Sequence, residues 1–98
     1  MNRPVIFRPA AARELLEAER WFEEHQPDLG SRFRAAVDQA IERVREFPLA
    51  HPVVHGQKRR VLVRRFPYAI YFALIDDTIV VAGVAHGHRD PEVWRSRR

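Results

Sequence analysis

The chain has 98 residues, a length that suits one domain with a single modest core, and we expect residues 1–98 to form that domain. It carries a formal net charge of +4 and no cysteine, which excludes disulfide bonds and thiolate metal sites and is typical of the reducing cytoplasm. No apolar run approaches the roughly 18 residues of a membrane-spanning helix, and no signal peptide opens the chain, so we expect a cytoplasmic protein without membrane contacts.

The first half of the sequence predicts a short strand followed by a helix. The apolar run Val5-Ile6-Phe7 should be a strand that joins a larger sheet, because three residues form no stable strand alone. Helical spacing of apolar residues then runs from Pro9 to about His25. These positions, three or four residues apart, are Ala11, Leu15, Ala18 and Phe22. Gln26-Pro27-Asp28 ends the helix, because the residue before a proline avoids the α region.

A second helix is predicted from about Asp28 to Phe47, where Pro48 ends it. Its apolar positions also follow helical spacing: Leu29, Phe33, Ala36 or Val37, Ala40, Val44 and Phe47. Two amphipathic helices with so short a break fold back as an antiparallel hairpin, whose apolar side needs a sheet to cover. Residues 49–57 include Pro52 and Gly56, which is typical of a connection.

The second half predicts three antiparallel strands in series: Arg60–Arg64, Tyr68–Ile75 and Thr78–Ala85. The last two are apolar at nearly every position, which indicates central strands covered on both faces. Asp76-Asp77 between them suits a two-residue hairpin loop, because aspartate tolerates the left-handed region. The predicted fold class is therefore α+β, in the order β-α-α-β-β-β, with the helical hairpin packed on one face of a small, mostly antiparallel sheet.

The first of these three strands has one charged face. Val61 and Val63 should point inward, and Arg65 should point with Val63. The alternate positions would share the opposite face: Arg60, Leu62 and Arg64. We therefore expect arginines to gather on the sheet face that the helices leave uncovered.

Positive charge is concentrated in the second half, where residues 49–98 hold nine basic and four acidic side chains. Sixteen of the 17 basic residues are arginine, whose planar fork binds carboxylates and phosphates in a bidentate manner. The candidate residues for binding an anionic partner, either nucleic-acid phosphate or an acidic protein segment, are Lys58, Arg59, Arg60, Arg64, Arg65, His88, Arg89, Trp94, Arg95 and Arg97. The alternatives are a solvated strand whose charges prevent aggregation, and a GC-rich genome that encodes arginine without functional meaning.

Aromatic residues could extend this surface. Trp94 lies among arginines, where it could stack on a base or anchor the end of the chain to the domain. Trp21 is adjacent to Phe22, so the two rings cannot both face the sheet. Trp21 would then lie on the flank of the helix, exposed to a partner, or complete the core.

The segment after the last strand, His86-Gly87-His88-Arg89-Asp90, carries the groups best suited to chemistry. A histidine here could act as general base toward a ribose 2′-OH while Arg89 stabilises phosphate charge, or it could be a structural or binding residue. His86, His88 and Asp90 alternate, but they match no established metal-ligand spacing, so we expect no metal and no cofactor. Asp90-Pro91 could start a helical turn.

Two strings in the second half resemble the RelE/ParE family of toxins from bacterial type II toxin–antitoxin systems. They are R-V-L-V-R-R-F-P-Y-A-I-Y, which begins at Arg60, and D-D-T-I-V-V-A-G-V-A-H-G-H-R-D-P-E-V-W-R-S-R, which begins at Asp76. The helical hairpin ending in Phe47-Pro48 and the tail pattern His-x-x-Arg-x-Pro-x-x-Trp extend the similarity over nearly the whole chain. The resemblance implies a helical hairpin on a small sheet, and a cognate antitoxin that wraps and neutralises the toxin as a hetero-oligomer.

The family includes two activities. Its ribosome-dependent mRNA endonucleases act without metal, through basic residues and a tyrosine. Arg60 and Arg89 match two of the basic positions, whereas Leu62, Ala69 and Trp94 stand where the nucleases carry polar catalytic groups. Each such group is typically worth about 10²–10³ in rate, so these departures argue against that activity.

The resemblance therefore favours the ParE branch, which inhibits DNA gyrase through a protein–protein contact and performs no chemistry. If the chain is instead a nuclease acting on ribosome-bound mRNA, its catalytic residues would be Arg60, His86 and Arg89. A third interpretation is a basic nucleic-acid-binding module, whose affinity would fall steeply with salt.

Overall fold

A computed structural model describes residues 3–87, which form one strand, two helices and then four more strands. The elements are β1 (Val5–Phe7), α1 (Pro9–His25), α2 (Leu29–Glu46), a short 3-10 helix (Pro48–Ala50), β2 (Val53–His55), β3 (Lys58–Leu62), β4 (Tyr68–Ile75) and β5 (Thr78–His86). The strand order is β1-β5-β4-β3-β2, and β1 runs parallel to β5 while the other pairs are antiparallel. The predicted α+β class and the mostly antiparallel sheet are confirmed.

Helix α1 buries the side predicted for it. Pro9 occupies the first helical turn, where its missing N–H has no helical partner to lose. The buried residues are the four that recur at helical spacing: Ala11, Leu15, Ala18 and Phe22. Trp21 is 51% exposed on the flank and stacks on the His25 ring, with the ring centroids 3.7 Å apart. Neither α1 nor α2 is long and apolar enough to cross a membrane.

Close packing defines the start of α2. The Glu23 carboxylate accepts hydrogen bonds from the backbone N–H groups of Asp28 and Gly30, both at 3.0 Å, and so caps α2 from the end of α1. At Gly30 the two helices nearly touch, because a Cβ there would lie 2.7 Å from the carbonyl oxygen of Glu19. The hairpin is therefore stabilised by the Glu23 carboxylate and by the lack of a side chain at Gly30, in addition to its apolar contacts.

One predicted core position of α2 is wrong. Phe47 is 66% exposed and lies just beyond the helix, which ends at Glu46. Pro48 pushes the residue before it out of the α region, and the φ of −137° at Phe47 turns its side chain away from the buried stripe. The other predicted positions are buried or half-buried.

The sheet has two apolar faces, as expected for central strands. Phe72, Ile70 and Val81 pack against the helices in the main core, around the fully buried Phe33 of α2. The face directed away from the helices, called the far face below, holds a smaller buried cluster of Ala69, Tyr71 and Ala85. Strand β4 lies between β3 and β5, and β5 lies between β4 and β1. The hairpin loop is at Asp76 and Asp77, whose φ angles are 49° and 65°.

The predicted connection at residues 49–57 is wrong in part, because it contains the edge strand β2. Three residues are too few to show a period, and the flanking Pro52 and Gly56 hid the strand. Strand β3 also begins two residues earlier than predicted and ends at Leu62. It is therefore covered by β2 on its outer side, and it is not the exposed edge that a three-strand series implied.

Candidate functional site

The basic residues of β3 point to both faces of the sheet. Arg60 is the Cα partner of Tyr71, which belongs to the far-face cluster, so Arg60 projects to the far face. Lys58, two residues earlier in the same strand, shares that face. Arg59 is the partner of Phe72 and projects to the helix side. Strand periodicity thus divides this run of three basic residues between two surfaces.

Arg59 holds the segment before β2 in place. Its Nη1 donates a hydrogen bond of 2.7 Å to the carbonyl oxygen of His51, and a longer one of 3.4 Å to that of Leu49. Charge-assisted bonds to carbonyl groups fix a loop effectively. Arg59 therefore supports the edge of the sheet, whatever else it binds.

Arg64 lies beside α2, in a shallow depression whose lining residues are Asp38, Gln39, Glu42, Arg43, Glu46 and Arg64. Arg43 Nη2 donates a 2.8 Å hydrogen bond to the carbonyl oxygen of Leu62, which brings α2 against the end of β3. Partial burial, together with the nearby positive charge of Arg64, lowers the pKa of the Arg43 guanidinium from its ordinary value. Two guanidinium groups therefore repel each other at this corner.

The prediction that Arg60, Leu62 and Arg64 share a face is therefore wrong for Arg64. Strand β3 ends at Leu62, so side-chain alternation does not extend through the turn. Arg65 does not follow the buried Val63 inward either, because it is exposed and adopts a φ of 72°. The predicted uniform arginine surface is instead two separate groups, Lys58 with Arg60 on the far face and Arg64 with Arg65 in the β3–β4 turn.

His86 lies at the end of β5, opposite Tyr68 of β4, with the ring centroids 5.7 Å apart. Both rings border a groove between α1 and the end of the sheet, with a volume of about 520 Å³. We call it the α1–β5 groove, and its lining residues are Glu14, Glu17, Ala18, Trp21, Phe22, Pro67, Tyr68, Val84, Ala85 and His86. This groove combines two carboxylates with three aromatic side chains and a histidine.

Arg60 and His86 lie on opposite sides of the sheet. The ring of Tyr68, beside His86, packs on the helix-side core, whereas Arg60 projects to the far face with Tyr71. Groups of one catalytic centre must reach the same reacting atoms at hydrogen-bond distance, about 2.6–3.2 Å. The third residue proposed for a nuclease, Arg89, lies outside the described residues. The structure does not bring Arg60 and His86 into one centre.

The acidic side of the α1–β5 groove was not anticipated from the sequence. In the sequence, Glu14 and Glu17 fall on the polar side of α1, a pattern typical of a solvated surface. In the structure, Glu14 Oε1 accepts a 3.0 Å hydrogen bond from the backbone N–H of Val84 in β5. The proximity of Trp21 was the only signal in the sequence, since an exposed tryptophan beside carboxylates is unusual on a purely solvated helix face.

Other predicted site residues lie outside the described part of the chain: His88, Arg89, Trp94, Arg95 and Arg97. The same holds for the helical turn predicted at Asp90-Pro91, and for two members of the rejected metal set, His88 and Asp90. Within residues 3–87, no group of three histidine, aspartate or glutamate side chains is arranged to hold a metal ion.

Comparison with known proteins identifies the family to which this chain belongs. Residues 5–91 match the family described as the ParE toxin of the type II toxin–antitoxin system parDE. The match covers most of the chain, and the protein therefore belongs to the ParE toxin family, within the RelE/ParE group.

The fold agrees with this assignment. A solved structure titled "Chromosomal ParDE TA system from P. aeruginosa" superposes with a TM-score of 0.61 at 14% sequence identity. The superposition covers 86% of this chain and 95% of that one. Among curated proteins, none matches the sequence.

Proposed function

We propose that this ParE-family toxin arrests growth by binding DNA gyrase, and that it performs no chemistry of its own. The observation that carries the proposal is the family match over residues 5–91. The target is a protein surface in this interpretation, so affinity depends on exposed side chains and not on an assembled catalytic centre.

The arrangement of β3 and β4 supports binding over nuclease chemistry. Leu62 and Ala69 stand where the related ribonucleases carry polar groups, and here the two residues are direct Cα partners in neighbouring strands. Leu62 is 59% exposed and Ala69 is buried, and neither has a group that transfers a proton or stabilises phosphate charge. Arg60 adjoins this neutral pair, while His86 is on the other side of the sheet.

A cognate antitoxin is the second part of the proposal. Large apolar side chains are exposed on α1, just after α2, in the 3-10 helix and on β2: Leu16, Trp21, Phe47, Leu49 and Val53. Exposed apolar groups beside polar rims are typical of protein-binding surfaces. An antitoxin that covers them in a toxin–antitoxin hetero-oligomer would hold the toxin inactive.

Supercoiling by purified gyrase, with the full-length protein added, tests the target. We expect supercoiling to fall with increasing toxin, and to recover when the protein encoded by the neighbouring gene is added in equal amount. Unchanged supercoiling at a saturating dose would contradict gyrase as the target. New cleavage ends within translated messages after induction, detected by primer extension, would favour the nuclease activity instead.

A further inference from the structure

The far face of the sheet is buried, although it is directed away from both helices. Its buried side chains are apolar, and none is more than 9% exposed: Ala69, Tyr71, Val80 and Ala85. Val80 belongs to this face because it alternates along β5 with Ile79 and Val81 of the main core. A sheet face in contact with water normally carries polar side chains, so these apolar side chains are covered.

The described helices do not supply this cover. Within residues 3–87, both α1 and α2 pack on the opposite face, and Val54 contacts the far-face cluster from the edge strand β2. Residues 1–2 adjoin Pro4, whose carbonyl oxygen accepts a 2.9 Å hydrogen bond from the N–H of Ile79, at the opposite end of β5 from the cluster. The cover therefore comes from the chain beyond β5 or from another molecule.

The chain leaves the sheet beside the buried cluster. The backbone N–H of Gly87 donates a 2.7 Å hydrogen bond to the carbonyl oxygen of Pro67, which continues the β4–β5 pairing one residue past β5. Ala85, in the cluster, is only two residues earlier. When extended, residues 88–98 can span roughly 36 Å, whereas the five strands together are only roughly 19 Å wide. This segment is long enough to cross the whole face.

The apolar residues of the segment suit the surface. Val93 and Trp94 are adjacent in the sequence. A tryptophan side chain buries about 150–250 Å². The facing residues Ala69 and Ala85 are direct Cα partners with small side chains, so a large flat ring can lie over them without a clash.

The charges of the segment suit the surface as well. Arg60 projects to the far face and forms no ion pair with any residue between 3 and 87. Asp90 and Glu92 lie four and two residues before Trp94. Their carboxylates can approach Arg60 when the ring lies over the cluster, and opposite charges at the border of an apolar contact are favourable.

We infer that residues 88–98 fold back across the far face, with the Trp94 ring over Ala69 and Ala85 and the carboxylates of Asp90 and Glu92 toward Arg60. Burial of the ring and of the cluster removes apolar surface from water on both sides of the contact. The inference holds whether or not the target is gyrase. This cover makes the segment part of any surface that a partner meets on this side of the sheet.

Tryptophan fluorescence of the full-length protein tests the inference. The chain has two tryptophans, so Trp21→Phe leaves Trp94 as the only one. Trp21 is half exposed on α1, on the other side of the sheet, so its replacement leaves the far face unchanged. The emission maximum and quenching by acrylamide are measured in buffer and in urea, at several protein concentrations.

A double variant in this Trp21→Phe protein locates the ring. Arg60→Glu with Leu62→Glu places two carboxylates on the far face, where Leu62 is 59% exposed and is the Cα partner of Ala69. Arg13→Glu with Leu16→Glu makes the same changes at exposed positions of α1 and is the matched control. Circular dichroism confirms that both fold. If the far-face double variant does not fold, Arg60→Glu replaces it, with Arg13→Glu as control.

We expect Trp94 emission to be blue-shifted in buffer relative to urea, and acrylamide to quench it much less in buffer, at every protein concentration. The far-face variant should lose most of the blue shift, because its carboxylates repel Asp90 and Glu92 and hydrate the apolar surface. The control should keep the blue shift.

Trp94 emission in buffer that matches emission in urea would overturn the inference. Equal shielding of Trp94 in the far-face variant and the control would place the ring elsewhere, and would also overturn it. Shielding that rises with protein concentration would identify a second copy of the chain as the cover, with the same consequence. None of these results bears on the supercoiling assay, so the proposed function and this inference can fail separately.

Discussion

Arginines of the helical hairpin and arginines of the β3–β4 turn have different surroundings. On the helices, Arg32, Arg34 and Arg45 form ion pairs with carboxylates of their own or the neighbouring helix. In the turn, neither Arg64 nor Arg65 forms an ion pair with any residue between 3 and 87. Part of the positive charge of the hairpin is thus neutralised, whereas the charge of the two turn arginines is not paired within residues 3–87.

This difference in pairing suggests that the helical arginines contribute to folding and the turn arginines to binding. Exposed ion pairs on helices add only about 0.2–1 kcal/mol each, but they cancel charge locally. At the turn, partial burial and then the nearby charge of Arg64 lower the pKa of the Arg43 guanidinium, so these two positive charges lie unfavourably close to each other. An acidic partner surface would relieve this repulsion. We therefore expect changes in the hairpin to alter stability, and changes in the turn to alter binding.

The largest effect should come from the core beneath the hairpin. Phe33→Ala removes a fully buried ring that contacts Phe22, Phe66 and Tyr68, and should lower the free energy of unfolding by about 3–5 kcal/mol. Leu16→Ala, at a side chain that is more than half exposed, is the control and should cost far less. Urea denaturation measures both. Similar losses of unfolding free energy for the two variants would contradict the placement of Phe33 in the core.

Gly30→Ala tests the close approach of the two helices. A Cβ at this position would lie 2.7 Å from the Glu19 carbonyl oxygen and 2.9 Å from the Glu23 Cβ, so the helices must move apart. We expect a loss of about 1–3 kcal/mol, despite the higher helix propensity of alanine. Gln39→Ala, on the exposed side of α2, should be neutral or slightly stabilising in the same measurement. A stabilising Gly30→Ala would contradict the packing.

Glu23 tests the cap on α2. Glu23→Ala removes the acceptor for the N–H groups of Asp28 and Gly30, and should cost about 1 kcal/mol. Glu23→Gln keeps one acceptor oxygen and should retain part of that stability. Thermal unfolding followed by circular dichroism measures the order of stability, which should be wild type, then Glu23→Gln, then Glu23→Ala. If Glu23→Ala is as stable as the wild type, the carboxylate does not cap the helix.

The smallest expected effect is a stability change of opposite sign when an arginine is neutralised in the hairpin or in the turn. Arg34→Gln removes the ion pairs with Glu19 and Asp38, and should lower stability by about 0.2–1 kcal/mol. Arg64→Gln removes repulsion on Arg43 and should leave stability unchanged or raise it slightly. Both are measured in low salt, since screening weakens each effect. A larger loss for Arg64→Gln would remove the contrast.

The long elements could be predicted from the sequence because they repeat their pattern. Helix α1 has 17 residues and α2 has 18, so apolar positions recur several times in each. Strand β2 has three residues and no repeat to detect. The β4–β5 hairpin loop could be predicted from its paired aspartates, because few residues accept a positive φ at two consecutive positions.

The candidate site was less predictable, for two physical reasons. Strand β3 ends at Leu62, two residues before the predicted end, and this moved Arg64 from the far face to the side of α2. The α1–β5 groove depends on the contact of Glu14 with β5, at a sequence separation of 70 residues, which no local pattern reports. Alternation within a strand predicts direction only while the strand continues.

The most direct test of the account compares two charge-matched triple variants of the full-length protein. One neutralises the β3 and turn arginines (Arg60→Gln, Arg64→Gln, Arg65→Gln), and the other neutralises helical arginines (Arg13→Gln, Arg32→Gln, Arg34→Gln). Growth is followed after induction without the neighbouring gene, and melting temperatures confirm that both variants fold. We expect the first triple variant to lose growth inhibition and the second to keep it. Full toxicity of the first, or loss of toxicity only in the second, would contradict it.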